Sequence, residues 1–176
     1  NNDEWSLYFD GNVNIDLWLN QETTPEKKIK LLKLLDDIKD PVRKMDLLIT
    51  AKNFVCPSLF MADELGKKGG KTWVYQFNRV RDDKLAKKYG AFHGAELPYV
   101  FDTHDEWLPT NEKDRELTRE IQSYWLSFAK TGNPNNDDAV TWPEYDSYND
   151  PTLVLDDEIY QRNHESSEIC KIMDLF

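Results

Sequence analysis

The stretch Tyr89-Gly90-Ala91-Phe92-His93-Gly94-Ala95-Glu96-Leu97-Pro98-Tyr99-Val100-Phe101 places a histidine among glycines, directly after a charged segment. Glycine adopts positive φ and lets other groups approach closely. Gly90 and Gly94 therefore predict a turn that can present the imidazole to a pocket. An unperturbed imidazole titrates near neutrality, which suits it to passing protons at physiological pH. A lone loop histidine is more often a surface or core residue, so the rest of the chain must decide between these readings.

Working outward, Lys71 to Val80 alternates, with Trp73, Tyr75 and Phe77 on one face and Thr72, Val74, Gln76 and Asn78 on the other. Period two with aromatic and β-branched residues predicts a strand ahead of the histidine turn. In open α/β sheets, active-site loops leave the carboxyl ends of strands. Leu117, Ile121, Tyr124, Trp125 and Phe128 recur at helical spacing and predict a helix over Glu112 to Thr131, stopped by Gly132-Asn133-Pro134. Upstream, Thr24-Pro25 and Asp40-Pro41 are helix starts, a capping side chain followed by proline at the first helical position. The first helix carries Ile29, Leu32 and Leu35 between lysines and reads as a surface amphipathic helix; the second carries Val42, Met45, Leu48 and Ile49. Pro57 predicts a new helix with Leu59, Phe60, Ala62 and Leu65, ended by Gly69-Gly70. Thr152 to Leu155 reads as a short strand and Glu165 to Phe176 as a last helix.

The chain has 176 residues, enough for one domain with a sizeable core, and its six Trp, eight Tyr and eight Phe argue for packing over disorder. A formal net charge of −11 disfavours nucleic acid and anionic membrane as partners. No run reaches the ~18 apolar residues of a membrane helix. Cys56 and Cys170 lie far apart with no CxxC or Cys/His cluster beside them, and they read as buried free thiols. The histidines at 93, 104 and 164 are likewise dispersed, so no metal is expected, and no cofactor.

Gly90, His93, Glu96 and Phe101 together meet the pattern G-x-x-H-x-x-E-x-x-x-x-F, and the stretch resembles the histidine motif of the type-B carboxylesterases. That family includes cholinesterases, p-nitrobenzyl esterases and several fungal lipases, and has the α/β-hydrolase fold. Four more segments resemble it in the same order. Asn1-Asn2-Asp3-Glu4-Trp5-Ser6-Leu7-Tyr8-Phe9 looks like the D-E-G acid motif, with Trp5 where glycine is usual. Thr50-Ala51-Lys52-Asn53-Phe54-Val55-Cys56-Pro57 is similar to T-D-x-x-F-x-C-P, with Ala51 in place of aspartate. Phe128-Ala129-Lys130-Thr131-Gly132-Asn133-Pro134 and Thr141-Trp142-Pro143-Glu144-Tyr145 complete the set.

The resemblance implies an α/β fold, the C-terminal part of an α/β-hydrolase, with sheet strands and flanking helices. Residues 1–176 would be the C-terminal segment of a single carboxylesterase domain whose N-terminal part, carrying the nucleophile, lies upstream. It implies a Ser–Glu–His ester hydrolase in which this chain supplies Glu4 and His93, within ~2.6–3.2 Å of each other. The triad order in this fold is Ser, then acid, then His. No G-x-S-x-G elbow occurs here; Ser58, Ser123 and Ser127 fall in helical patterns and Ser6 follows the acid motif. The glycine-rich oxyanion loop is missing too, and each such donor is worth about 3–4 kcal/mol of transition-state stabilisation. The chain by itself is therefore expected to be inactive, its partners being a small-molecule ester and the N-terminal portion of the same protein. The competing expectation is a non-catalytic, cholinesterase-like binding or adhesion module, or an inactive fragment. Trp107 and Trp125 could line a pocket or pack in the core.

Overall fold

The computed structural model describes residues 14–104, 109–137, 139–163 and 166–175. Its sheet has the strand order β1 (Tyr75–Phe77), β2 (Pro151–Leu155), β3 (Tyr160–Asn163). β1 and β2 run parallel, Tyr75 opposite Leu153 and Phe77 opposite Leu155, while β3 returns antiparallel with Tyr160 opposite Val154. A parallel pair needs a long crossover. Here the crossover contains the histidine turn.

The helices are α1 (Ile15–Glu22), α2 (Pro25–Leu34), α3 (Pro41–Thr50), α4 (Cys56–Lys67), α5 (Lys84–Tyr89), α6 (Leu97–Phe101), α7 (Glu112–Thr131) and α8 (Ser167–Met173). The expected starts hold: the side chains of Thr24 and Asp40 accept from the Lys27 and Val42 amides. The buried face of α2 differs from the one expected. Leu31 and Leu35 are in the core, and Ile29 is 68% exposed. Leu31 and Leu35 sit one helical turn apart, on the side of α2 that meets α8.

Pro57 does not open a separate helix. α3 runs through a π-helical turn, Ala51–Val55, straight into α4. The wider turn accommodates a proline that has no N–H to give, and the Ser58 hydroxyl donates to the Phe54 carbonyl at 2.7 Å. The continuous run Pro41–Lys67 is apolar and long enough to cross a membrane by composition, a property hidden from a search for unbroken apolar residues. Half of its most apolar window is buried, with Leu48, Ala51 and Leu59 in the core, which is how a core helix passes the same test.

The two cysteines correct the expectation of free thiols. Cys56 at the start of α4 and Cys170 in α8 form a disulfide, with Cα atoms 5.4 Å apart across 114 residues of sequence. Two apolar clusters flank the sheet. One gathers α1 to α4 and α8 around the disulfide; the other packs Phe77, Leu153 and Leu155 against Tyr99, Leu117, Ile121 and Tyr124. β2 is thus buried on both faces, which explains its unbroken apolar run.

The expected aromatic face of β1 lies against α7 and α6: Trp73 meets Phe128 at 5.8 Å, Tyr75 meets Trp125 at 5.3 Å, and Phe77 meets Tyr99 of α6 at 5.0 Å. Trp125 also packs on Trp142, so its role is packing. The Trp142 indole donates to the Val74 carbonyl at 2.9 Å, tying the Thr141–Tyr145 segment along β1.

Candidate active site

His93 stands on the turn between α5 and α6, beyond the carboxyl end of β1. The glycines do what their spacing suggested. Gly90 has φ +67° and Gly94 φ +85°, both in the left-handed region that side chains disfavour. The imidazole is exposed, and the Phe54 ring lies against it at 5.1 Å with a 32° tilt. Phe54 belongs to the π-helical turn, so a distortion in the α3–α4 run delivers an aromatic wall to the histidine. The sequence offered a hint of this only in the Thr50–Pro57 motif; the π turn itself leaves no pattern.

Glu96 follows His93 by one helical turn. Its Oε2 is buried with no hydrogen-bond partner among the described residues. Burial first, and the charge of Glu96 second, push the Tyr75 hydroxyl up to about 12. Two cavities of about 350 Å³ each approach this region. One is lined by Phe54, Ser58, Trp73 and Tyr75; the other by Phe92 and Gly94, on either side of His93.

Behind the turn lies a buried ionic network. Asp114 Oδ1 accepts from Arg79 Nε at 2.8 Å and from the Tyr99 hydroxyl at 2.7 Å. Burial would raise the Asp114 carboxyl, but the Asn111 amide, the Tyr99 hydroxyl and the Arg79 guanidinium together hold it below the ordinary carboxylate range. Tyr99 is pushed up to about 12, chiefly by burial. It is the buried residue of α6, directly after Leu97 and Pro98. The network thus fixes the outgoing end of the histidine turn.

Glu4 and Ser6 lie outside the described residues, as do Trp107 and His164, and the expected Glu4–His93 contact lies outside them too. Ser58 lies in α4, and Ser123 and Ser127 in α7, as anticipated. The hydroxyls of Ser123 and Ser127 donate to the backbone carbonyls of Glu120 and Asn133. Their protons are committed to helix ends and turns, which is no arrangement for a nucleophile.

A sequence model of the carboxylesterase family matches residues 11–173. The chain belongs to the carboxylesterase family. It is 39% identical over 101 residues to a para-nitrobenzyl esterase of Bacillus subtilis (strain 168), covering 54% of this chain and 20% of that protein. It is 31% identical over 110 residues to an acetylcholinesterase of Bungarus fasciatus, covering 57% of this chain and 17% of the relative. Among solved structures, a PNB esterase superposes with a TM-score of 0.71 at 28% identity, over 97% of this chain and 36% of that one. The α/β-hydrolase architecture expected from the motifs is therefore the architecture of the chain, and the chain spans about a third or less of the length of these relatives. The family assignment makes the exposed histidine after β1 the residue of first interest.

Proposed function

We propose that this chain provides the acid and the base of a carboxylic ester hydrolase. His93 is the general base, Glu4 its carboxylate partner, and the serine nucleophile is held outside these 176 residues. The observation that carries the reading is the placement of His93: exposed, on a glycine-flanked turn past the carboxyl end of β1, and backed by Phe54.

In this reading His93 accepts the serine proton as the oxygen attacks the ester carbonyl. It returns that proton to the departing alcohol, leaving an acyl-enzyme. Water then attacks the acyl carbon, His93 takes a proton from the water and gives it back to serine, and the carboxylic acid leaves. Glu4 accepts the second ring N–H, which fixes the tautomer and stabilises the imidazolium. The Phe54 ring packs against one side of the imidazole and restricts its rotation.

The test is hydrolysis of p-nitrophenyl butyrate by the 176-residue chain and by a polypeptide in which it follows a carboxylesterase amino-terminal portion with its serine elbow. The chain alone should show background rates and the joined form should be active. His93→Ala in the joined form should lower kcat/KM at least about 10³-fold, the scale seen when one member of such a triad is removed. Full activity of the His93→Ala form, or a serine-independent activity of the chain alone, overturns the assignment.

A further inference from the structure

Two arginines leave β1, and they are treated differently. Arg79 is paired with three carboxylates: Asp114 at 2.8 Å, Asp157 at 2.8 Å and Asp82 at 3.3 Å. Arg81 is 6% exposed and makes no ion pair among the described residues. Its Nε donates to the Tyr99 hydroxyl at 3.2 Å, and the guanidinium sits over the Tyr99 ring at 5.1 Å. The Tyr99 proton is already given to Asp114, so the phenol presents Arg81 with a lone pair and no charge. Nη2 of Arg81 is buried without any hydrogen-bond partner among the described residues. A guanidinium cannot shed its proton, and a buried charge without a counter-ion is strongly disfavoured.

Arg81 borders the cavity of about 350 Å³ between α5 and the histidine turn. The other walls are mostly apolar: Ala86, Phe92, Leu97, Pro98 and the Tyr99 ring. Asp83 also lines it: its Oδ1 accepts from the Ala86 amide at 2.9 Å at the start of α5, and its Oδ2 is buried, so this wall carries a carboxylate as well as the guanidinium. A cavity of this size suits a small organic molecule. Of the charged groups on the wall, Arg79 is ion-paired and Arg81 is not, so a mostly apolar molecule fits best with an anionic end at Arg81, where the planar fork of arginine matches a carboxylate in two-point contact.

We propose that this cavity is a binding site for an apolar monocarboxylate, whose carboxylate pairs with Arg81 and whose hydrocarbon lies against Ala86, Phe92 and Leu97. The ligand would rest on the backbone of the turn that carries His93, since Phe92 and Gly94 are both walls. The proposal does not need Glu4, a serine or ester hydrolysis; it concerns direct binding.

The experiment is calorimetric titration of the protein with hexanoate, 1-hexanol and hexylammonium, which share a tail and differ in head group. Hexanoate should bind near millimolar or tighter, and the alcohol and the amine at least about tenfold more weakly. Arg81→Gln should lower hexanoate affinity at least tenfold and leave the weak hexanol binding unchanged. Leu97 is 50% exposed, so Leu97→Asp tests the site without touching the buried network; a carboxylate at that wall should also weaken hexanoate at least tenfold. Should Arg81→Gln fail to fold, Leu97→Asp decides alone. Hexanoate binding no tighter than hexanol, or unchanged in Leu97→Asp, overturns the site.

Discussion

His104 shows how a single buried residue fixes its own protonation. Its side chain is 1% exposed, with Nε2 2.7 Å from the Thr118 hydroxyl and Nδ1 3.3 Å from the Thr110 hydroxyl. Thr118 donates its proton to the Asp114 carbonyl, so toward the ring it can only accept. Nε2 therefore carries the hydrogen and Nδ1 accepts from Thr110. A proton on Nδ1 would displace that hydrogen bond. Burial, then the charges of Arg115 and Arg81, hold the imidazole below its usual value, outweighing Asp102 and Asp114. The sign follows directly. The unfolded chain takes up this proton below about pH 6.5 while the folded chain resists it, so the stabilising contribution is complete above that pH and is lost as the pH falls through the window beneath. Urea unfolding between pH 5 and 7 should show stability rising with pH, this residue contributing up to about 1.4 kcal/mol per pH unit. His104→Gln keeps one hydrogen-bonding position and should flatten that component. An unchanged slope in the variant would assign the pH dependence to other groups. None of this was legible in the sequence, where His104 was one of three scattered histidines.

At the scale of the element, α7 was the most legible part of the chain, and its boundaries match the apolar period and the Gly132 stop, where φ is +75°. What the period could not reveal is the double duty of its first turn. The Asn111 side chain accepts from the Asp114 amide at 3.1 Å, and Asp114 Oδ2 accepts from the Asn111 amide at 2.9 Å. The other oxygen of the same carboxylate reaches back to Arg79 and Tyr99. A helix cap is a local pattern, but its tie to the β1 exit is not. Asn111→Ala should therefore cost about 1 kcal/mol, as a lost cap does. Asp114→Asn removes the buried member of the three carboxylates around Arg79, leaving Asp157 and Asp82, and should cost about 1.5–3 kcal/mol in urea unfolding, more than the lost cap. Because the folded carboxyl is held below its ordinary value, its contribution is present above about pH 4 and fades as acid protonates it, so the gap between parent and Asp114→Asn should narrow below that pH. Equal losses in the two variants would mean that Asp114 acts as a cap and nothing more. Two of the elements that escaped the sequence have little apolar content. β3 reads Tyr-Gln-Arg-Asn and is largely exposed, and α5 reads Lys-Leu-Ala-Lys-Lys-Tyr, so neither carries a period. α6 was hidden inside the motif that revealed the histidine.

For the whole molecule, the motifs gave the family and the order of the elements, while the tie between the two ends of the helical layer had to come from coordinates. Cys56 and Cys170 sit in different helices, and no spacing rule links residues 114 positions apart. The bond joins the α4 start, directly after the π-helical segment that holds Phe54 against His93, to α8, which also packs on α2. Closing so long a loop restricts the unfolded chain by about 4–5 kcal/mol in the chain-entropy account. For a chain of this size each kcal/mol moves Tm by roughly 2–4 °C, so reduction should lower Tm by about 8–20 °C. Thermal melts with and without dithiothreitol measure this, and a Cys56→Ala/Cys170→Ala form should melt with the reduced protein and ignore the reductant. The π-helical turn ends next to the bond, so the reduced protein should also loosen the contact between Phe54 and His93, visible as a change in the His93 ring resonances before global melting. A melt that reductant leaves in place would mean that the apolar cluster around α8 holds the helical layer without the covalent link.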